Sequence, residues 1–398
     1  MKVLYIMPWF RRPSAMSKHC GIFVDNVKET GLEPIIVSLK GSAHSVGYNI
    51  IDIRDKSNKH IAAAMRRIFP DIVNQPDVYN WGTRKAAVKT IEESVDMNSI
   101  DVIHSVSFPC SSHLIGYDLA GKYHKPWIAQ FYDPWSDNPY RKFKTEKYRK
   151  KDLQMEKLVA EHANAIIHTN EVIKDVWSER YGSKVEKKMT VMPMSYESEL
   201  YQKAEVFQPK KRQGKFVISY IGKLFFDRNL KDVVEALTVV RSKGIDIEDK
   251  LTIRIIGEIH QEDINRIKEA GMDRVFEIIG YLPQNQLEKY YLESDAFLVI
   301  DSPQVQNVFF PSKLLDYFIY KRLIIGITPE KGVTHDLLKD SGNLVFNNGD
   351  IRGLSEYLNK ICDNTDFGGI FDSCYYSHFS PEKMMNVYEK VLASITTL

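Results

Sequence analysis

The sequence has no uninterrupted apolar run that approaches the ~20 residues needed to cross a bilayer. The apolar stretch at residues 1–10 is short and is followed at once by Arg11 and Arg12. Such a stretch is typical of the first buried strand of a domain rather than of a secretory signal. We therefore expect a cytoplasmic protein without a membrane-spanning segment.

Cysteine is scarce, and the spacing of the four cysteines does not match that of disulfide-rich or zinc-binding modules. Cys20, Cys110, Cys362 and Cys374 include no close CxxC pair. In a chain of this size without a secretory signal, such cysteines are expected to stay reduced. His, Cys and the carboxylates also do not cluster at the spacing of metal ligands. We predict neither a disulfide framework nor a bound metal.

Positive and negative residues are also nearly balanced in number. The formal net charge is +2, so the chain has no overall field that would attract nucleic acid. The phosphate-binding patterns GxxxxGK[ST] and GxGxxG are absent.

Apolar runs rich in Val and Ile alternate with longer amphipathic stretches, which predicts parallel sheets covered by helices on both faces. The predicted strands lie at 3–7, 34–39, 101–106, 126–131, 165–168, 189–192, 216–221, 251–256, 276–279, 296–300, 323–327 and 343–346. The alternation is interrupted once, by a polar segment that contains Lys210, Lys211 and Arg212.

The predicted fold class is therefore α/β, with two doubly wound, Rossmann-like domains in tandem. The predicted ranges are 1–195 for the N-terminal domain, 196–214 for the linker, 215–379 for the C-terminal domain and 380–398 for a final helix capped by Ser380. Ligands bind beyond the carboxyl ends of parallel strands. We expect the two domains to face each other across a cleft that holds the active site.

One segment suited to phosphate opens the second domain, at 219–237. A strand ends at Gly222, a short loop carries Lys223 and Arg228, and a helix begins near Asn229. We expect the amides of its first turn to be unpaired, which makes a helix start beside two cations suitable for an anion. The alternative is an ordinary strand-to-helix turn with solvated cations and Asn229 as the cap.

A second segment, at 307–327, carries groups suited to a nucleotide. Pro311 leads into a helix whose first turn carries Ser312 and Lys313, and Asp316 follows on the same face. A carboxylate there suits a ribose diol, and Lys313 suits a phosphate or the edge of a base. The alternative is a capped helix with a local Lys–Asp pair.

Together these segments resemble the family 4 retaining glycosyltransferases of the GT-B fold. Gly222, Lys223 and Arg228 match the start of that family's second domain, and Pro311 to Asp316 match its PSKxxE variant with Asp in place of Glu. Where the family commonly has a second Glu to contact the sugar, this chain has Val308, and the backbone amides at 307–310 are candidates for that contact.

Further segments support the resemblance. Tyr281 and Leu282, after Gly280, are similar to a loop that lines the base pocket, and Ser294-Asp295-Ala296 is similar to the family's SDA. Gly21, in the segment at 21–24, is similar to the glycine of the family's acceptor-side loop, where the backbone approaches the transferred sugar.

The N-terminal segments at 101–119 and 125–140 also resemble this family, in the form that carries the sequence DPW. The predicted strand at 126–131 leads into Asp133, for which the resemblance implies a role in binding a sugar or acceptor hydroxyl, or in accepting its proton. The alternative is an Asx turn before Pro134. His104 and His113 are weaker candidates, because a lone His is more often structural.

The basic run at 141–151, RKFKTEKYRKK, sets seven Lys or Arg residues against Glu146, with Phe143 and Tyr148 between them. It indicates contact with anionic lipid at the inner membrane face, guidance of an anionic lipid-linked acceptor, or simply a solvated helix face.

The resemblance implies transfer of a sugar, with retention, from a nucleotide-sugar donor to a hydroxyl acceptor, in polysaccharide or glycan assembly. The acceptors that the resemblance implies are a glycan, a lipid-linked compound or a small molecule. UDP is the first expectation for the nucleotide and GDP the next, and no cofactor, metal or nucleic acid is expected. The alternatives are a GT-B epimerase or phosphorylase, and a catalytically silent subunit that binds sugar nucleotide or scaffolds a partner.

Overall fold

The computed structural model describes the chain except residues 13, 45, 54–63, 66, 70, 72–82, 208–213, 225–226, 364–370 and 397–398. It divides into two units, one formed by Met1–Glu197 with Phe379–Leu398 and the other by Ser198–His378. In the predicted linker at 196–214, residues Ser198–Val206 form a helix that begins the second unit. Lys210, Lys211 and Arg212 of this segment lie outside the described residues.

The first unit contains a seven-stranded sheet in which every described pairing is parallel. Its strands are β1 Lys2–Ile6, β2 Glu33–Leu39, β3 Asn49–Ile53, β4 Val102–Val106, β5 Trp127–Phe131, β6 Ala165–His168 and β7 Met189–Val191. The order β3-β2-β1-β4-β5-β6-β7 reverses between β1 and β4, as in a doubly wound domain. The sequence analysis missed β3.

The described helices of this unit connect and cover the strands. They are α1 Ala15–Glu29, α2 Thr83–Ser94, α3 Ser111–Tyr123, α4 Glu146–His162, α5 Glu171–Tyr181 and α6 Ser183–Glu186. Helix α1 starts where the Ser14 side chain accepts a hydrogen bond from the Ser17 amide.

The second unit repeats the plan with six parallel strands in the order β10-β9-β8-β11-β12-β13. These are β8 Phe216–Ile221, β9 Leu251–Ile256, β10 Phe276–Gly280, β11 Ala296–Ile300, β12 Leu323–Thr328 and β13 Leu344–Asn347. Here the order reverses between β8 and β11. The prediction of two doubly wound α/β units is confirmed.

Its described helices are α7 Ser198–Val206, α8 Lys231–Ser242, α9 Gln261–Glu269, α10 Glu288–Glu293, α11 Lys313–Ile319, α12 Val333–Asp340 and α13 Ile351–Cys362. The apolar strand residues form one core with the buried faces of α8 and α13, to which Val234, Leu237 and Leu358 belong. None of the described helices is both long and apolar enough to span a membrane.

The last helix, α14 Pro381–Thr396, packs in the first unit. Ser380 caps it, since its hydroxyl accepts from the Lys383 amide at 3.2 Å. The buried Tyr388 hydroxyl lies 2.8 Å from that of Tyr5 on β1 and 3.0 Å from Nδ1 of His104 on β4. This polar chain fixes α14 against the centre of the first sheet.

Replacing Tyr388 with Phe should therefore destabilise the first unit. The change keeps the ring but removes the hydroxyl, so that Tyr5 and His104 each lose one hydrogen bond. We expect this to cost about 1–3 kcal/mol. We expect a lower unfolding midpoint in urea. Ser394→Ala on the same helix is the control, because the Ser394 hydroxyl bonds the carbonyl of Val391 within the helix. Equal stability of Tyr388→Phe and Ser394→Ala would contradict this account.

Candidate functional site

Three neighbouring strands of the second sheet each lead into a glycine of positive φ. Gly222 after β8 has φ +133°, Gly257 after β9 has +134°, and Gly280 at the end of β10 has +82°. Backbone bonds continue the sheet at this edge, from the Gly222 amide to Ile256 O and from the Gly257 amide to Gly280 O, both at 2.8 Å. The carboxyl edge of the sheet is therefore bare of side chains at these three positions.

Gly257 is required by a close approach of two backbones. A Cβ at this position would lie 2.1 Å from the carbonyl oxygen of Gly222, which no real Cβ tolerates. Only glycine combines the positive φ with this approach. Gly257 thus leaves room for the carbonyl of Gly222. The sequence analysis selected Gly222 but missed Gly257.

Lys313 meets this edge from helix α11. The Lys313 Nζ lies 3.7 Å from the centre of the Tyr220 ring. A Cβ added to Gly222 would lie 3.1 Å from the same Nζ. Tyr317, one turn later, holds the helix against β8, since its hydroxyl accepts from the Ile221 amide at 2.9 Å. The sequence analysis chose Gly222 and Lys313 separately, and the structure brings them together.

The ammonium of Lys313 is buried and has no hydrogen-bond partner in the described part of the chain. Burial lowers the pKa of Lys313 well below its usual value, and the like charge of Arg228 lowers it further, while Asp301 acts in the opposite direction. A buried cation without an acceptor is costly unless an anion satisfies it. The site therefore favours an anionic ligand.

Arg228 is the second cation, and its side chain is 12% exposed. Its Nη2 lies 3.8 Å from Oδ1 of Asp301, a buried carboxylate directly after β11. Burial raises the pKa of Asp301, and the charge of Arg228 opposes that rise. One carboxylate thus faces both cations, at the point where the strand order reverses.

Lys223, in contrast, lies at the surface. Its ammonium pairs with Glu258, and both side chains are more than half exposed. Such a pair contributes little to stability, so Lys223 is free to exchange Glu258 for a ligand anion.

The first turn of α8 differs from the prediction. The Leu230 amide donates to Oδ1 of Asp263 at 3.0 Å, and the Lys231 amide donates to Oδ1 of Asn229 at 2.9 Å. The predicted free amides are therefore paired, by a carboxylate from α9 and by a local turn. The N-cap of the helix is Leu230 rather than Asn229, whose side chain closes a local turn before it. Anion binding at this edge therefore depends on the side-chain cations.

Helix α11 begins after the turn at Pro311 and Ser312, whose carbonyls accept from the amides of Leu314 and Leu315. Asp316 is half-buried and accepts from the Tyr291 hydroxyl at 3.3 Å. It does not form the local pair with Lys313 that the alternative interpretation supposed, since the Lys313 ammonium packs on Tyr220 instead. The ribose contact of Asp316 stays a prediction.

The segment before α11 is tied to the sheet. The Asn307 amide donates to Lys331 O at 3.0 Å, the Phe309 amide donates to Oδ1 of Asn307, and the Asn307 side chain bonds Asp301. These two amides are therefore not available to the sugar in this structure, because internal acceptors hold them. Val308 is buried.

Tyr281 and Leu282 follow β10 at the same edge of the sheet. The Tyr281 ring is 77% exposed, which is unusual for a large aromatic side chain and suits the stacking of a flat ligand. Their contact with a base stays a prediction.

In the first unit, Asp133 follows β5 and is half-buried. Burial raises its pKa to about 6. No described residue pairs with its carboxylate. Asp133 can therefore change its protonation state close to neutral pH, as a proton acceptor must.

The loop after Asp133 is held by the buried side of helix α4. Asp152 accepts from the Trp135 indole at 3.0 Å and from Arg141 at 2.8 Å. Glu156 accepts from the Ser136 amide at 2.7 Å and from the Tyr181 hydroxyl at 2.6 Å. These two buried carboxylates fix the loop from 134 to 141, and the sequence analysis named neither of them.

Gly21 lies within helix α1 rather than in a loop, so that prediction was wrong. A Cβ on Gly21 would lie 2.3 Å from the His44 ring, which shows that the glycine makes room for that side chain. His104 and His113 are fully buried, bonded to Tyr388 and to Ser105 respectively. Burial lowers the pKa of each to about 3, so both stay neutral.

Asp301, Gly257 and Tyr220 are candidate site residues that the sequence analysis missed. The first two directly follow buried strands, and Tyr220 lies one residue before the end of β8. A polar residue or glycine just past a buried strand was thus the available signal. In the described ranges no group of three or more His, Cys, Asp or Glu side chains could hold a metal ion. Metal independence stays a prediction.

Comparisons with known proteins agree with this architecture. Residues 202–368 match the family described as glycosyl transferases group 1. The structure is similar to the Anabaena protein Alr3699/HepE in complex with UDP, with 12% identity, a TM-score of 0.67 and coverage of 99% of this chain and 100% of that one. No curated protein matches the sequence.

Two further solved structures are similar. One is sucrose-phosphate synthase from Thermosynechococcus elongatus, with 13% identity, a TM-score of 0.69 and coverage of 99% and 100%. The other is a glycosyltransferase from Rickettsia africae, with 14% identity, a TM-score of 0.68 and coverage of 98% of both chains. These likenesses show the fold, and the predicted GT-B fold is confirmed.

The close approach at Gly257 gives a testable prediction. Gly257→Ala should destabilise the second unit by about 3 kcal/mol or more, because strain at positive φ adds to the overlap with Gly222. Gly349→Ala is the matched control, since Gly349 has φ +84° but open space around it. Urea denaturation compares the two, and we expect a loss of about 1 kcal/mol for the control. Equal losses would show that the approach to Gly222 has no consequence.

Proposed function

We propose that this chain, a GT-B glycosyltransferase whose residues 202–368 form a domain of the glycosyl transferases group 1 family, transfers a sugar from a nucleotide-sugar donor to a hydroxyl acceptor with retention of configuration. UDP is the proposed nucleotide. The proposed place of the reaction is the assembly of a polysaccharide or another glycan.

The observation that carries the proposal is the buried Lys313 ammonium beside Arg228, with Asp301 as the carboxylate that faces both. A nucleoside diphosphate would supply the hydrogen-bond acceptor that the Lys313 ammonium lacks in the described part of the chain. Lys223 lies on the same loop as Arg228 and is exposed enough to join them. Three cations would then face the diphosphate, and charge-assisted hydrogen bonds of this kind are the strong ones.

The same cations account for the chemistry. When the bond between the anomeric carbon and the diphosphate oxygen breaks, the electron pair stays on the diphosphate, and Arg228, Lys313 and Lys223 stabilise the charge that develops there. The acceptor hydroxyl attacks the anomeric carbon on the face that the diphosphate leaves. Its proton passes to Asp133 or to a leaving-group oxygen.

Two further observations support the finer parts of the proposal. The Anabaena protein of similar fold has been solved in complex with UDP, and this supports UDP rather than GDP as the proposed nucleotide of this chain. The exposed Tyr281 ring and the half-buried Asp316 carboxylate lie on the elements where a base and a ribose would be held. The acceptor is proposed as a hydroxyl of a glycan, a lipid-linked compound or a small molecule.

Nucleotide binding tests the donor site. We expect UDP, among UDP, GDP, ADP and dTDP, to raise the unfolding temperature, because a ligand at 100 times its Kd stabilises by ~2.7 kcal/mol. Arg228→Ala should weaken UDP binding in calorimetry by about 10- to 100-fold, since it removes a charge-assisted contact. Lys223→Gln should weaken it as well, without affecting the buried Asp301.

Lys231→Gln is the control, because this exposed lysine lies on α8 just beyond the loop. If UDP binds both loop variants as tightly as it binds the control, the donor site has been assigned to the wrong residues. Release of UDP during turnover with a sugar donor separates an enzyme from a catalytically silent subunit, which binds the donor and releases nothing. Nuclear magnetic resonance of the product reads the anomeric configuration.

The raised pKa of Asp133 predicts a pH dependence. A base must be ionised, so kcat/KM should fall as the pH drops through about 6, where the Asp133 carboxylate takes up its proton. Asp133→Asn should lower kcat by about 100-fold or more and remove this acidic limb. The pH–rate profiles of the wild type and the variant measure both effects.

Asp175→Asn serves as the control, because Asp175 is an exposed carboxylate of the same unit. We expect its profile to match the wild type. An acidic limb that persists in Asp133→Asn would assign the titration to another group, and unchanged activity would remove Asp133 from the mechanism.

A further inference from the structure

A pair of large apolar side chains is exposed in the first unit, close in sequence to a buried anchor. Ile68 is 65% exposed and Phe69 is 49% exposed, whereas the nearby Asp71 is only 6% exposed. Single exposed apolar residues are common on soluble proteins, but two adjacent ones of this size mark a contact surface.

Asp71 ties this pair to the start of helix α4. Its carboxylate accepts from the amide of Lys144 at 2.6 Å and from the amide and hydroxyl of Thr145 at 2.8 and 2.9 Å. Residues 68 and 69 therefore lie next to the N-terminal end of α4, although more than 70 residues of sequence separate them from it. Nothing in the sequence indicated this juxtaposition.

The exposed side of α4 is basic. Lys147, Lys150 and Lys151 follow one another at helical spacing, and all three are exposed. These three residues and Lys144 form no ion pair within the described structure. Two carboxylates lie at this end of the helix: Glu146 is 4.0 Å from Arg149, and Asp71 accepts from the amides of Lys144 and Thr145. No ion pair within the described structure neutralises the positive charge of Lys147, Lys150 and Lys151.

The opposite side of α4 explains why the lysines face outward. Asp152 and Glu156 point into the unit, where they hold Trp135, Ser136 and Tyr181. These bonds fix the rotation of the helix about its axis. The basic side is thus presented to solvent as a rigid surface.

We propose that Ile68, Phe69 and the lysines at 144, 147, 150 and 151 form a docking surface for an anionic lipid bilayer. The two apolar side chains enter the interface, and the lysines meet the anionic headgroups. A polyanion such as nucleic acid would use the lysines alone, and it gives no role to the exposed apolar pair. The combination of both features favours lipid.

The same helix connects this surface to the candidate acceptor side. Because Asp152 and Glu156 hold the loop that follows Asp133, the elements that would touch the bilayer and those that position Asp133 share one rigid support. An acceptor anchored in lipid would approach this unit along the docking surface. Docking itself does not depend on the proposed sugar transfer and is measured without it.

Vesicle sedimentation with the full chain tests the proposal. We expect binding to vesicles of phosphatidylcholine containing about one third phosphatidylglycerol, weak binding to phosphatidylcholine alone, and release as salt screens the lysines. The triple variant Lys147→Gln, Lys150→Gln, Lys151→Gln should lose on the order of 100-fold in affinity. Ile68→Ser with Phe69→Ser should lose about 10-fold.

A second triple variant, Lys85→Gln, Lys184→Gln, Lys187→Gln, changes the net charge equally at exposed positions elsewhere in the unit. It should bind vesicles like the wild type, and the thermal melts of all variants should show that they fold. Absence of binding by the wild type would overturn the proposal, as would an equal loss in this control. Full binding by the Ile68 and Phe69 variant would overturn it in favour of a polyanion site.

Discussion

Two buried cations, Lys313 and Arg228, share one buried carboxylate, Asp301, where the strand order of the second sheet reverses. Burying charge costs free energy unless each charge is matched, and the Lys313 ammonium has no hydrogen-bond partner among the described residues. The surrounding residues maintain this arrangement. Gly257 shapes the backbone next to Lys313, and Tyr317 fixes the helix that carries it. A diphosphate at this position, as proposed above, would give the Lys313 ammonium the acceptor that it lacks.

In the first unit, burial changes the pKa of a carboxylate, Asp133, instead of that of an ammonium. No described residue pairs with the Asp133 carboxylate, and burial raises its pKa to about 6. Helix α4 holds the loop after Asp133 with buried carboxylates and presents lysines to solvent on its other side. One amphipathic helix thereby serves both the proposed chemistry and the proposed docking. The charges of the two units suit the donor diphosphate and the acceptor hydroxyl respectively.

The fold could be predicted from the sequence because buried parallel strands are continuous runs of β-branched and apolar residues. Strand β3 was missed because it lies at the edge of its sheet and carries Asp52 between two isoleucines. The candidate site was predicted less completely. The partner of the Leu230 amide is Asp263, 33 residues away, and Lys313 packs on Tyr220, 93 residues earlier. Such pairs follow from the packing of helices on the sheet, which local patterns do not encode.

Proton uptake on nucleotide binding tests the central claim most directly. If a diphosphate binds beside Lys313, its charge raises the lowered pKa of the ammonium, and the complex takes up as much as one proton. Calorimetry of UDP binding in buffers of different ionisation enthalpy, at a series of pH values at which UDP is fully ionised, measures this number. We predict uptake in the wild type at the pH values that lie between the pKa of Lys313 in the free protein and its pKa in the complex, and none at any of these pH values in Lys313→Met. Binding without uptake, or the same uptake in Lys313→Met, would contradict the account.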